Sequence, residues 1–75
     1  MKDIDYGYIR INLKAYMKSE GISINKLAFR AEMQRTQLKA YMNGEVQRLD
    51  MAVLARLCYA LECDLNSIIE YVKAD

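Results

Sequence analysis

Two cysteines, Cys58 and Cys63, are the residues whose type is best suited to metal binding or redox chemistry. A zinc site normally takes four ligands from cysteine, histidine or carboxylate groups, and this chain of 75 residues contains no histidine. We therefore interpret the two cysteines as small, reduced core residues and predict neither a metal nor a cofactor. We also predict no enzymatic activity and no small-molecule ligand. Histidine is the commonest general acid or base near neutral pH, and so short a chain lacks room for a deep pocket.

The basic side chains are concentrated in the middle of the sequence, although the net charge of the whole chain is only +1. Residues 22–48 contain five basic and two acidic side chains, which gives a net charge of +3. Residues 49–75 contain two basic and five acidic side chains, which gives −3. A nucleic-acid backbone would attract the middle of the chain and repel its end.

No apolar run approaches the roughly 18–20 residues that a membrane-spanning helix needs. The opening residues, Met1–Asp5, lack the apolar stretch and small residues of a signal peptide. We therefore expect a cytoplasmic protein that does not associate with membranes.

Apolar periodicity and cap residues predict an all-α chain of five helices. Gly21 and Asn43-Gly44 are stop signals, whereas Ser23, Asp50 and Asp64 are favourable N-cap residues. The predicted helices cover residues 9–20, 24–31, 35–42, 51–61 and 65–72.

The segment before the first predicted helix alternates weakly, with Ile4, Tyr6 and Tyr8 separated by single residues. This alternation is compatible with a disordered tail, a short strand or an arm of a dimer. Three apolar or aromatic side chains would otherwise be exposed, which favours an arm that is ordered by a dimer partner. We therefore divide the chain into an N-terminal arm (1–8), one helical domain (9–72) and a C-terminal tail (73–75).

The stretch from Ser23 to Gly44 contains the arrangement most informative about function. Two predicted helices of about eight residues are joined by a three-residue turn, and small Ala28 lies in the middle of the first of them. This spacing lets two helices cross closely at a steep angle, as in a helix-turn-helix. The second helix of such a unit projects from the domain and can enter a major groove.

The order and spacing of small, apolar and capping residues over about residues 9–72 resembles the Cro/phage-repressor-type (XRE-like) helix-turn-helix domain. The residues that carry this resemblance are Gly21-Ile22-Ser23, Lys26-Leu27-Ala28, Ala31, Leu38, Asn43-Gly44, Leu54, Leu57-Cys58, Ala60-Leu61, Cys63, Leu65 and Ile68-Ile69. The resemblance implies a compact, five-helix, lambda-repressor-like fold with the helix-turn-helix at helices 2 and 3. It also implies a small stand-alone transcriptional regulator.

The resemblance further implies which residues would contact double-stranded DNA. Those expected to read base edges from the helix at 34–43 are Gln34, Arg35, Thr36, Lys39 and Ala40. Those expected to contact phosphates are Arg10, Lys26, Asn43 and Arg48, and such contacts position a protein without specifying sequence. Because one helix buries little surface in a groove, we expect a homodimer on a palindromic operator. Its interface is expected in Ile68–Val72 or in the N-terminal segment.

Four positions depart from the family pattern. Ile24 stands where glutamine is frequent, Glu32 where the turn favours glycine, Tyr41 where the core is usually aliphatic, and Glu45 where a basic residue is common. A left-handed glutamate in the turn is tolerated at a modest cost. Ile24 and Glu45 remove polar or basic contacts, and this favours the alternative function, a protein-interaction module such as an antitoxin or accessory subunit.

Overall fold

The computed structural model describes residues 4–75, so residues 1–3 of the predicted arm lie outside it. The described chain begins with strand β1 and ends with strand β2, and four α-helices lie between them. A single turn of 3₁₀ helix, Leu65–Ser67, precedes β2. The bounds are β1 (Tyr8–Ile11), α1 (Leu13–Glu20), α2 (Ile24–Ala31), α3 (Arg35–Met42), α4 (Met51–Leu61) and β2 (Ile69–Val72).

The prediction of five helices is wrong at both ends of the chain, whereas the predicted bounds of α2, α3 and α4 are confirmed. The expected fifth helix over 65–72 is the 3₁₀ turn followed by β2, and the expected first helix starts at Leu13 rather than Ile9. Both misassigned segments are rich in β-branched and aromatic residues, which favour a strand once a partner strand is available.

Strands β1 and β2 form a two-stranded antiparallel sheet in which Arg10 lies opposite Glu70. Glu70 Oε1 accepts hydrogen bonds from Arg10 Nη2 at 2.7 Å and from Asn12 Nδ2 at 2.7 Å. The hydrogen bond from Asn12, followed by that from Arg10, lowers the pKa of the Glu70 carboxyl. The backbone of Asn12 also donates to the carbonyl of Ile68 at 2.7 Å. Hydrogen bonds therefore connect the start of α1 to the segment from Ile68 to Glu70.

The segment before β1 folds back onto β2 of the same chain. The Tyr71 hydroxyl donates to the carbonyl of Tyr6, and Asp5 Oδ1 accepts from the backbone N–H of Gly7 at 2.9 Å. Gly7 has a φ of +82°, and a Cβ there would lie 2.2 Å from the carbonyl oxygen of Val72. Among the three alternatives for the N-terminal segment, the structure has a strand, which begins at Tyr8, and the hydrogen bonds of Asp5, Tyr6 and Gly7 lie within the same chain.

All four helices end in the same hydrogen-bonded motif, in which a left-handed residue follows the last turn. The residue after it donates to the carbonyl five positions earlier, and the donor–acceptor pairs are Ile22–Met17, Met33–Ala28, Glu45–Ala40 and Cys63–Cys58. The left-handed residue is Gly21 after α1 and Gly44 after α3, but Glu32 after α2 and Glu62 after α4. Each helix therefore ends sharply, and the chain turns directly into the next element.

The core consists of apolar side chains from every helix and from the segment before β2. Its fully buried members are Leu13, Leu27, Leu38, Leu57 and Ile68. No polar or charged side chain is buried within residues 4–75. The domain is therefore held together chiefly by apolar packing.

We expect Glu70→Gln to lower the free energy of unfolding at neutral pH. Because folding lowers the pKa of this carboxyl, its contribution is fully present above the unfolded pKa of about 4.3 and is lost as pH falls through the folded value. The difference between wild type and variant, measured by urea denaturation at several pH values, should therefore shrink in acid. Glu45→Gln is the matched control, because Glu45 is exposed and forms no salt bridge among residues 4–75. A difference from wild type that stays constant with pH would contradict this account.

Candidate nucleic-acid interface

Helices α2 and α3 are joined by Glu32, Met33 and Gln34, as the sequence predicts for a helix-turn-helix. The Ser23 hydroxyl caps α2 by accepting from the backbone N–H of Lys26 at 3.1 Å. Ala28 and Met33 are buried, and the Met33 N–H donates to the Ala28 carbonyl at 2.9 Å. Met33 of the turn is thus buried and hydrogen-bonded to α2, and this fixes the direction in which α3 continues.

Helix α3 is anchored from below by two buried side chains, Leu38 and Tyr41. The Tyr41 hydroxyl accepts from the backbone N–H of Asp50 at 3.4 Å, at the upper limit of hydrogen-bond length. Asp50 caps α4, since its carboxylate accepts from the N–H groups of Ala52 and Val53 at 2.8 and 3.3 Å. Tyr41, which departs from the aliphatic family pattern, therefore links α3 to the start of α4.

The outward side of α3 is polar and available to a ligand. With 3.6 residues per turn, Thr36, Lys39, Ala40 and Asn43 lie on the side opposite Leu38 and Tyr41. Thr36, Lys39 and Asn43 are exposed, whereas Ala40 is half-buried. Four of the five predicted base-reading residues are therefore exposed on α3 or at its start, and the fifth, Ala40, is half-buried.

The start of α3 differs from the starts of α2 and α4. Gln34 occupies the N-cap position, but its side chain forms no capping hydrogen bond, and the first turn contains Arg35 and no acidic residue. The backbone N–H groups of this turn are therefore free to donate to an external acceptor. Backbone donors next to a guanidinium suit a phosphate or the acceptor-rich edge of guanine.

The predicted phosphate contacts lie in three different places. Lys26 is exposed on the first turn of α2, while Asn43 and Arg48 are exposed at the two ends of the loop between α3 and α4. Arg10 lies on β1 outside the helix-turn-helix, and its guanidinium is paired with Glu70. A phosphate contact by Arg10 would have to compete with this carboxylate.

Gln37 and Phe29 are among the exposed residues of the helix-turn-helix that were not predicted as contacts. Gln37 follows Thr36 on the exposed surface of α3, and its amide can donate and accept at a base edge. Phe29 on α2 is 85% exposed although it is large and apolar. Helical position gave a signal for both residues, because Gln37 falls outside the inward stripe of α3 and Phe29 falls outside that of α2.

Neither a membrane segment nor a metal site is found in the described part of the chain. None of its helices is long and apolar enough to cross a membrane. Nor does it bring together three or more histidine, cysteine, aspartate or glutamate side chains that could hold a metal ion.

The fold and the polar outer side of α3 define a helix-turn-helix DNA-binding domain. Residues 12–74 match the family of Cro/C1-type HTH DNA-binding domains, and the chain belongs to this family. It is also similar to an uncharacterized HTH-type transcriptional regulator, YozG of Bacillus subtilis (strain 168). The two are 29% identical over 63 residues, which make up 84% of this chain and 75% of the relative.

We expect Glu32→Gly to stabilise the domain by about 0.5–1 kcal/mol, because Glu32 has a φ of 53° and glycine reaches this region without the penalty of a Cβ. Urea denaturation followed by circular dichroism measures the change. The control is Ala55→Gly on the exposed side of α4, which should destabilise by about 1 kcal/mol because the helix is right-handed there. If both glycines destabilised equally, the left-handed residue would not be strained.

Proposed function

We propose that this protein is a sequence-specific transcriptional regulator that reads operator DNA in the major groove through α3. The observation that carries the proposal is the exposed polar side of α3, which projects from an apolar anchor of Leu38 and Tyr41 within the most basic part of the chain. The relative's description as a transcriptional regulator supports the same role. Such a regulator acts in the cytoplasm and needs no catalytic group.

In this proposal, Arg35 makes the principal base contact. Its guanidinium can donate two hydrogen bonds to O6 and N7 of guanine. Gln34 is suited to adenine, and the methyl groups of Thr36 and Ala40 are suited to a thymine methyl. Lys39 reaches either a base or a phosphate from the next turn.

Phosphate contacts are proposed for the residues that flank α3. Lys26 at the start of α2, together with Asn43 and Arg48 after α3, would hold the backbone on either side of the groove. Arg10 would join them only when released from Glu70. Because phosphate contacts release counterions, binding should weaken steeply as salt concentration rises.

The proposed functional unit is a homodimer on two half-sites. Apolar side chains remain exposed on the two-stranded sheet, where Ile9 on β1 is 54% exposed and lies opposite Tyr71 on β2, which is 59% exposed. A second copy that covers this surface would remove those side chains from water. Two α3 helices about one DNA turn apart would then read a palindrome.

Specific binding is tested by selecting sites from a random duplex library and titrating the best duplex by fluorescence anisotropy. We expect Arg35→Ala to weaken binding about 10- to 100-fold, because a bidentate contact contributes about 1–3 kcal/mol. The matched control is Arg56→Ala, since Arg56 is equally exposed but lies on α4 outside the helix-turn-helix. Equal losses for the two variants, or no selected site for a folded protein at low salt, would contradict the proposal.

The proposed dimer surface is tested with Ile9→Lys in sedimentation equilibrium. We expect this variant to be monomeric at concentrations where the wild type is dimeric, because a charge would be buried at the interface. Met51→Lys is the control, since Met51 is 83% exposed on α4 and lies outside the sheet. Loss of the dimer in both variants, or in neither, would place the interface elsewhere.

The alternative, a protein-interaction module, is favoured by exposed apolar side chains outside the sheet. Phe29 and Tyr59 are 85% and 83% exposed on α2 and α4. A docking partner would cover such side chains. The titration of selected duplexes separates the two functions, because an interaction module would select no site.

A further inference from the structure

We infer that Cys58 and Cys63 form a site of reversible oxidation, which a hydroperoxide converts to an intramolecular disulfide. The inference is independent of the proposed DNA binding. It rests on how the end of α4 places the two residues, on the surroundings of their thiols and on the access of solvent to both.

The end of α4 brings the two cysteines together through the backbone. The Cys63 N–H donates to the Cys58 carbonyl at 3.1 Å. Glu62, which lies between the last residue of α4 and Cys63, has the left-handed conformation, with a φ of 52°. In this motif the residues at the two ends of the long hydrogen bond normally make a side-chain contact. The equivalent pairs are Met17 with Ile22 after α1 and Ala28 with Met33 after α2. After α4 the two positions are occupied by thiols.

This geometry suits a disulfide. A backbone hydrogen bond between two residues keeps their Cα atoms within about 5–7 Å, which is the separation that a disulfide spans. Cys58, Cys63 and Tyr16 line the same cleft, and both cysteines are free and half-buried. Bond formation therefore needs rotation of the side chains but no displacement of α4.

The thiols line an open cleft of about 820 Å³ between the ends of α2 and α4. Arg30, the last basic residue of α2, lies in its wall, as do Glu62 and Asp64 on either side of Cys63. A small hydroperoxide can enter this cleft and reach the two cysteines that line it. Burial, followed by the neighbouring Cys58, raises the pKa of the Cys63 thiol. Oxidation at neutral pH is therefore slower than at a strongly activated cysteine.

The reaction balances in two steps. One thiolate attacks an oxygen of hydrogen peroxide, the O–O bond breaks, and a sulfenic acid and one water are formed after proton uptake. The second thiol then attacks the sulfenic sulfur, the S–S bond forms, and a second water leaves. Two electrons pass from the two thiols to the peroxide, and a dithiol reductant reverses the change.

The first experiment oxidises the reduced full chain with hydrogen peroxide and analyses it by mass spectrometry. No lysine or arginine lies between Leu57 and Lys73, so trypsin releases both cysteines in one peptide. We expect this peptide to lose two hydrogens, to resist alkylation and to recover both thiols after reduction. Cys58→Ser and Cys63→Ser are matched controls that keep one thiol each and should show no such loss. Two alkylatable thiols, or only intermolecular disulfides, would overturn the inference.

The second experiment asks whether the fold, rather than closeness in sequence, brings the thiols together. The equilibrium constant for disulfide formation with glutathione is measured for the folded chain and for the chain in concentrated guanidinium chloride. We expect the effective concentration of one thiol at the other to be about tenfold or more higher in the folded chain. An equal or lower value in the folded chain would show that the end of α4 holds the thiols apart, and would overturn the inference.

Discussion

The packing of α2 against α4 is the interaction on which the rest of the domain depends. Helix α2 contributes Leu27, Ala28 and Ala31 to the core, and α4 contributes Val53, Leu57, Ala60 and Leu61. The small alanines allow the two helices to approach closely, and the leucines fill the space between them. Since α2 is fixed in this way, the short turn after it determines where α3 can lie. The position of the polar side of α3 is therefore set by the packing of α2 against α4 and by the turn after α2.

The ends of the helices are the second constraint, because they set the direction of every connection. Each helix closes with a left-handed residue and a hydrogen bond from the residue after it to the carbonyl five positions earlier. An apolar side chain follows the left-handed residue after α1 and α2, and a cysteine follows it after α4. After α3 the equivalent residue is the charged Glu45, and Val46 packs against the core instead. The same hydrogen-bonded motif thus pairs two apolar residues at the ends of α1 and α2, and it pairs two cysteines at the end of α4.

The sheet joins two segments that are about sixty residues apart, and it does so at the edge of the helical core. Ile11 and Ile69 pack against that core, whereas their neighbours Ile9 and Tyr71 extend beyond it. The ionic cluster of Arg10, Asn12 and Glu70 holds the strands in register on the other side. The two ends of the described chain, residues 4–75, therefore contact each other within one protomer, and apolar side chains of the sheet remain exposed.

The sequence alone determined α2, α3, α4 and the turn between the first two, because their signals are local. Ser23 and Asp50 cap helices by accepting from backbone N–H groups two or three positions away, and Asn43-Gly44 ends α3, with Gly44 in the left-handed conformation. The exposed side of α3 also follows from its period, which placed Arg35, Thr36 and Lys39 outward before any contact was known. The tertiary structure alone decided the two strands. Ile9 and Ile69 satisfy a helical period, but Ile9 pairs with Tyr71 and Ile69 pairs with Ile11 across almost the whole chain, and no local pattern contains those partners. The pairing of Arg10 with Glu70 likewise required the folded backbone to bring the two groups together.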